Sequence, residues 1–187
     1  MEAISKNLKI DKIIKTTLIA VLGTILITIS AKIKIPFYPV PMTMQTFVIL
    51  LIGITFGYKV GIATVSLYLL EAIIGMPVFA NSPEKGIGIA YFIGPTMGYL
   101  IGFLVAVYFA GRFKYDKGKI NNFLKLIFSV SFIYLFGMIW LGTLIGWDKP
   151  IFELGAKPFL LAELFKILLL IFLIPYLLKF KKTNKII

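Results

Sequence analysis

The chain contains no cysteine and no histidine in 187 residues. Without cysteine there are no disulfides and no thiolate metal sites. Without histidine the commonest general base and a frequent metal ligand are missing too. Acids are scarce: eight Asp and Glu stand against 20 Lys and Arg. They are scattered as Glu2, Asp11, Glu71, Glu84, Asp116, Asp148, Glu153 and Glu163, and only Glu71 and Glu163 fall inside long apolar stretches. A carboxylate metal cluster or a two-carboxylate catalytic site therefore has little to build on. No G-x-x-x-x-G-K-[ST] loop occurs, so the chain has no recognisable ATPase site. Gly86-Ile-Gly88 followed by Tyr91 lacks the third glycine of a dinucleotide fingerprint. Binding suits this inventory better than bond breaking, and neither a cofactor nor a metal is expected.

What the chain does have is apolar residues. It is 59% hydrophobic with a mean hydropathy of +0.97, and its apolar runs are too long and too many for a soluble core of this length. A single membrane domain over residues 1–187 is expected, with membrane lipid as its surroundings. The net charge of +12 does not point to nucleic acid, because the basic residues gather at the ends of apolar segments. No cleavable signal peptide is expected: the first apolar run is long and no small-residue cleavage site is obvious at its end.

An all-α integral membrane protein with six spans accounts for the sequence, at roughly 13–31, 42–57, 60–75, 89–111, 124–146 and 159–178. With both termini cytoplasmic, the inner side holds Lys6, Lys9, Lys12, Lys15, Lys59, Arg112, Lys114, Lys117, Lys119, Lys125, Lys179, Lys181, Lys182 and Lys185. The outer side holds only Lys32, Lys34, Lys85, Lys149 and Lys157. That bias sets the orientation. Spans two and three are short: about 16 residues of helix cover about 24 Å, less than the roughly 30 Å hydrocarbon core. Breaker-rich segments flank them, Ile35-Pro-Phe-Tyr-Pro-Val-Pro41 before and residues 75–88 after. Irregular backbone at membrane depth survives only inside protein or along a cavity, so both segments are expected to fold back and cap a pocket.

The pocket's polar groups are few. Glu163 and Lys166 lie three positions apart in a stretch hydrophobic enough to cross the membrane, hence on one helix face. Charges at that depth usually face a cavity or each other. Gln45, one turn into span two, and Asn81 and Tyr91, in and just beyond the second breaker segment, are the remaining candidates. An amide offers both donor and acceptor, which suits a ligand with an amide or urea group. Phe79 and Trp140 are candidates for stacking on an apolar ring. Glu71 is either a pocket residue or a partner for another helix.

Two rows of small residues recur every four positions: Thr16, Ala20, Thr24 and Thr28 on span one, and Gly94, Gly98, Gly102, Ala106 and Ala110 on span four. Such rows let a second helix approach closely. For span four that helix is expected within the chain. For span one it is either another helix of the chain or a separate subunit.

Pro36-Phe-Tyr-Pro-Val-Pro-Met-Thr-Met-Gln-Thr46, Gly75-Met-Pro-Val-Phe-Ala80 and Gly94-Pro-Thr-Met-Gly-Tyr-Leu-Ile-Gly-Phe103 resemble the signature segments of the BioY family. Its members are biotin-specific substrate-capture (S) components of energy-coupling factor (ECF) transporters. The resemblance runs from the first span to Lys166. It implies a six-helix membrane fold, high-affinity capture of biotin on the outer side, and no ATPase of the chain's own. It also implies partners: a transmembrane coupling protein and two ATPase subunits, although some family members work without them. A solitary biotin carrier, and an S component for another small vitamin, are the alternatives. By the same resemblance Glu163 and Lys166 match the family's acid and lysine in the last span. The family most often has Gly-Asp where this chain reads Ala162-Glu163, one methylene longer with the charge kept. Asn81 falls where the family places polar loop residues next to the ligand. The first-span row resembles the surface offered to the coupling protein, with Thr16, Thr24 and Thr28 where alanine is more typical.

The charge bias makes a direct prediction. Reporter fusions after Lys119 and after Lys185 both read as cytoplasmic; opposite readings would remove one span from this arrangement.

Overall fold

The computed structural model describes residues 2–116 and 118–184. Of the cations that set the orientation, Lys117 and Lys185 lie outside the described residues, as do the side chains of Lys6, Lys9, Lys12 and Lys182. Helix dominates what is described. α1 runs over Glu2–Lys32 and leads into a two-stranded ladder, β1 (Lys34–Ile35) against β2 (Met42–Thr43). The strands are antiparallel, with Lys34 opposite Thr43 and Ile35 opposite Met42. Then follow α2 (Gln45–Ile73), a 3-10 turn at Gly88–Ile93, α3 (Met97–Arg112), α4 (Lys119–Ile145), α5 (Ile151–Gly155), a short 3-10 turn at Lys157–Phe159, and α6 (Leu160–Asn184).

α2 is two helices that meet at a kink. Gly57 sits at φ 81° and ψ 171°, a region open essentially to glycine alone. A straight helix would put Gln45 and Tyr68 about 34 Å apart, yet the Gln45 amide donates to the Tyr68 hydroxyl at 2.8 Å. The two halves, 45–56 and 58–73, therefore fold back on each other as a hairpin, and this is how the two short apolar segments of the sequence are realised. Gly111 closes the turn. A Cβ there would collide with the Gly57–Tyr58 backbone, so the end of α3 packs directly on the bend.

The segments Ile13–Lys32, Gln45–Ile73, Lys119–Ile145 and Ile151–Lys181 are long and apolar enough to cross a bilayer, and Met97–Arg112 is a shorter apolar helix. The outer faces of α1 and α6 carry exposed Leu18, Leu22, Leu26, Phe165 and Phe172, as a surface bathed in lipid requires. Inside, Tyr68, Ile49, Leu50, Val107, Leu126, Ile133, Leu170 and Ile174 are buried in one continuous core.

The row on the fourth apolar segment packs within the chain. At Gly98 and Gly102 a side chain would meet the α4 backbone at Phe136 and Ile133, and Ala106 and Ala110 are fully buried. That segment is not one helix over 89–111, however. Gly94-Pro95 interrupts it, leaving a 3-10 turn and a 16-residue α3, because proline supplies no N–H to continue a helix and restricts the residue before it.

For the row on α1, expected to meet either another helix of the chain or a separate subunit, the structure shows contact within the chain. Ala20 and Thr24 are buried, Thr16 and Thr28 half-buried. Gly23 lies against Thr64, and the Thr24 hydroxyl donates to Glu71 Oε1 at 2.9 Å. The row thus faces the second half of α2 in the same chain, and Glu71 serves that helix contact, not the cavity. A threonine whose hydroxyl reaches a buried-side carboxylate draws its own face inward.

Gly102→Leu is expected to lower stability by about 1–3 kcal/mol or more, since the added Cβ would stand 2.6 Å from Ile133 Cα. Thermal unfolding in detergent measures it, and Ile101→Leu, on the exposed side of α3, leaves the midpoint unchanged.

Candidate ligand-binding cavity

Where α2, α3, α4 and α6 converge beside the two breaker segments, about 600 Å³ remains unfilled, counting the mouth. Val40, Pro41, Met42 and Thr43 wall it from the first segment and Phe79 and Ala80 from the second. The wall continues through Gln45, Thr46, Tyr91, Thr96, Tyr99, Leu100, Phe103, Ile133, Tyr134, Phe159, Glu163 and Lys166.

α6 brings the charges. Glu163 stands in its first turn, where the helix dipole favours an anion, and Lys166 follows on the same face. The side chains are 5% and 8% exposed and their Nζ–Oε2 distance is 3.3 Å. So buried a pair is stable only if its remaining polar atoms find partners. Lys166 spends its three N–H groups on the Thr43 carbonyl at 2.6 Å, the Thr46 hydroxyl at 3.0 Å and Glu163 Oε2. Oε2 accepts from the Thr46 and Tyr134 hydroxyls as well, both at 3.1 Å. Glu163 Oε1 is the exception: it is buried with no hydrogen-bond partner among the described residues. A buried acceptor left empty costs free energy that a donor on a ligand would recover.

Gln45 is held at both ends. Its amide N–H donates to Tyr68, whose hydroxyl donates to the Val78 carbonyl, and its oxygen accepts from Thr43. The second N–H of its amide is left over. Flat walls come from Phe79, centred 4.5 Å from Tyr91, and from Tyr134 stacked with Phe159. Tyr99 enters because Gly137 leaves room for its ring, and its hydroxyl donates to the Gly155 carbonyl at 2.7 Å.

The second breaker segment is pinned from outside. Lys32 donates to the Phe79 and Ser82 carbonyls, both at 2.7 Å, and Lys34 donates to the Ala80 carbonyl and to Asn81 Oδ1.

Of the five site residues expected from sequence, Lys166, Glu163, Gln45 and Tyr91 stand on the cavity wall. Asn81 is next to the lining residue Ala80 and its side chain is turned to Lys34. Phe79 lines the cavity, whereas Trp140 does not: its indole N–H donates to the Gly94 carbonyl at 2.9 Å. Sequence reasoning missed Thr46, Tyr134, Tyr99 and Phe159. Thr46 had a usable signal, being adjacent to Gln45 within the first signature segment. Tyr99 had one as well, lying within the third signature segment, but among nine Tyr and 17 Phe nothing marked Tyr134 and Phe159.

Fold and cavity together define an all-helical membrane protein with a pocket among its helices, carrying a buried charge pair and aromatic walls. Comparison with known proteins places it more narrowly. The BioY family profile matches residues 4–183. The chain is 36% identical over 141 residues to a probable biotin transporter BioY of Pyrococcus horikoshii, covering 75% of this chain and 82% of that one. It is 31% identical to a probable biotin transporter BioY of Rickettsia prowazekii, over 97% and 91% of the two chains. Among solved structures it resembles the S-component for biotin from an ECF-type ABC transporter, with TM-score 0.75, 26% identity, and 90% and 93% coverage. The chain belongs to the BioY family.

Removing one member of the buried pair leaves the other charge uncompensated. Lys166→Met is expected to cost about 3–5 kcal/mol, and adding Glu163→Leu to recover most of it. Thermal unfolding of the single and double variants in detergent measures both; equal losses would show that the two charges do not act as a pair.

Proposed function

We propose that the chain captures biotin in this cavity and supports its uptake across the cytoplasmic membrane as the substrate-capture subunit of an ECF-type transporter. The observation that carries the reading is Glu163 Oε1, a buried acceptor without a hydrogen-bond partner among the described residues, on a residue that lines the cavity. Biotin supplies what such a wall lacks: a planar ureido group with two N–H donors and a carbonyl, on an apolar fused ring.

In this reading Glu163 takes a ureido N–H on Oε1. Lys166, Thr46 and Tyr134 hold its other oxygen and keep the carboxylate charged and aimed. Gln45 offers its remaining N–H to the ureido carbonyl. Tyr91 and Phe79 form one flat wall, with Tyr134 and Phe159 opposite. Asn81, beside Lys34, meets the end of the ligand nearest the second breaker segment. Lys166 has no N–H left for the biotin carboxylate, so its role is to neutralise and orient Glu163.

The finer topology belongs to the same proposal. The halves of α2 cross separately, which makes six spans with α1, α3, α4 and α6. Both termini are cytoplasmic and both breaker segments lie on the outer side. Coupling and ATP hydrolysis reside in separate subunits.

Titration calorimetry of detergent-purified protein is expected to show saturable biotin binding and none for thiamine or riboflavin. Glu163→Gln replaces a charged acceptor by a neutral one, worth roughly tenfold in affinity. Comparable affinity for the unrelated vitamins would overturn biotin as the ligand. Unchanged affinity in Glu163→Gln would move the site elsewhere.

A further inference from the structure

Glu163 and Tyr134 line two spaces at once. Besides the cavity, they stand at the floor of a groove on the outside of the bundle between α4 and α6. Ile127, Leu135, Phe152, Leu160 and Leu164 form its exposed sides. The groove exists because α4 is committed elsewhere. Gly98 and Gly102 draw α4 onto α3 at backbone contact, and its seam with α6 is sparsely packed by comparison.

Both flanking helices belong to segments apolar enough to cross a bilayer, so what covers the groove is hydrocarbon. Its dimensions select the form of that hydrocarbon. From Ile127 to Met138 is eleven helical steps, about 16 Å, close to half the roughly 30 Å hydrocarbon core. That is about the length of one acyl chain.

We propose that a single acyl chain of a bilayer phospholipid fills the α4–α6 groove and holds Tyr134 against Glu163, so that lipid occupancy sets the ligand affinity of the cavity. The second half of this statement rests on the biotin reading above. With the groove filled, the Tyr134 ring has no room to swing outward and its hydroxyl stays on Glu163 Oε2 (3.1 Å). Water is also kept from the floor of the charge pair, where a low dielectric strengthens its contacts. With the groove empty, Tyr134 gains a second position, and Glu163 loses one of the three donors that fix its direction.

The lipid arm needs no ligand. Native mass spectrometry of protein stripped in a bulky steroid-based detergent, whose rigid body does not fit the groove, is expected to retain one phospholipid. Leu164→Trp and Ser131→Phe, which fill the groove from opposite walls, lose it. Leu22→Trp, on the exposed face of α1, keeps it. Equal retention in all four proteins would overturn the site. In the ligand arm, wild type from which prolonged detergent exchange has removed that last phospholipid too, as mass spectrometry reads it, is expected to bind biotin at least about fivefold more weakly than in phospholipid nanodiscs, within the usual range of coupling between sites. Added phospholipid restores it, and Leu164→Trp is insensitive to lipid. Identical wild-type affinity with and without lipid would overturn the coupling. Absence of biotin binding in both media would overturn the functional reading, and the retention comparison then decides the groove by itself.

Discussion

The ammonium of Lys166 holds three parts of the molecule in register: the β2 backbone at Thr43, the first turn of α2 at Thr46, and its own helix at Glu163. Apolar packing also resists sliding, but a charge in low dielectric adds a directional requirement that packing lacks. Each N–H must point at its acceptor or the ion is left unsolvated. The position of the ladder, the entry of α2 and the depth of α6 are therefore fixed together. The cavity is what remains between them.

Backbone contact governs the rest of the bundle. The bend at Gly57 turns one apolar run into a hairpin, and Gly111 seats α3 against it. Gly98 and Gly102 then join α3 to α4. These approaches are tight because lipid offers apolar side chains no reason to leave it, so helices associate by close fit. The cost of so tight a seam on one side of α4 is a loose one on the other, toward α6. The cavity, with its buried charge pair and aromatic sides, is thereby framed by close α2–α3–α4 packing and by α6, whose depth Lys166 sets.

Much of this was legible in the sequence. Helical class follows from apolar run lengths, and Glu163 with Lys166 stood out because charge is rare where hydrocarbon surrounds it. The hairpin could be expected from two short runs, though Gly57 as its hinge could not be told from 15 other glycines. The break at Gly94-Pro95 was available in principle, but the apolar run across it reads as one span. The inward turn of the α1 row was hidden for a different reason. Four small residues in a line state only that something comes close, and the identity of that neighbour depends on Glu71, 47 positions beyond Thr24. Tyr134 escaped because its importance lies in its hydroxyl's target, a tertiary fact with no local pattern.

The two lysines at the end of α1 carry one more consequence. Lys32 and Lys34 together grip the carbonyls of Phe79, Ala80 and Ser82 and the side-chain amide of Asn81, and two of those residues form cavity wall. The segment is thus deprived of its own degrees of freedom: it rides on α1 as a blade rides on a handle. A tilt of the first helix in the bilayer, by whatever force, is transmitted as displacement of Phe79 and its ring contacts with Tyr68 and Tyr91. Mechanical work done on the outside of the bundle reaches its interior through four hydrogen bonds.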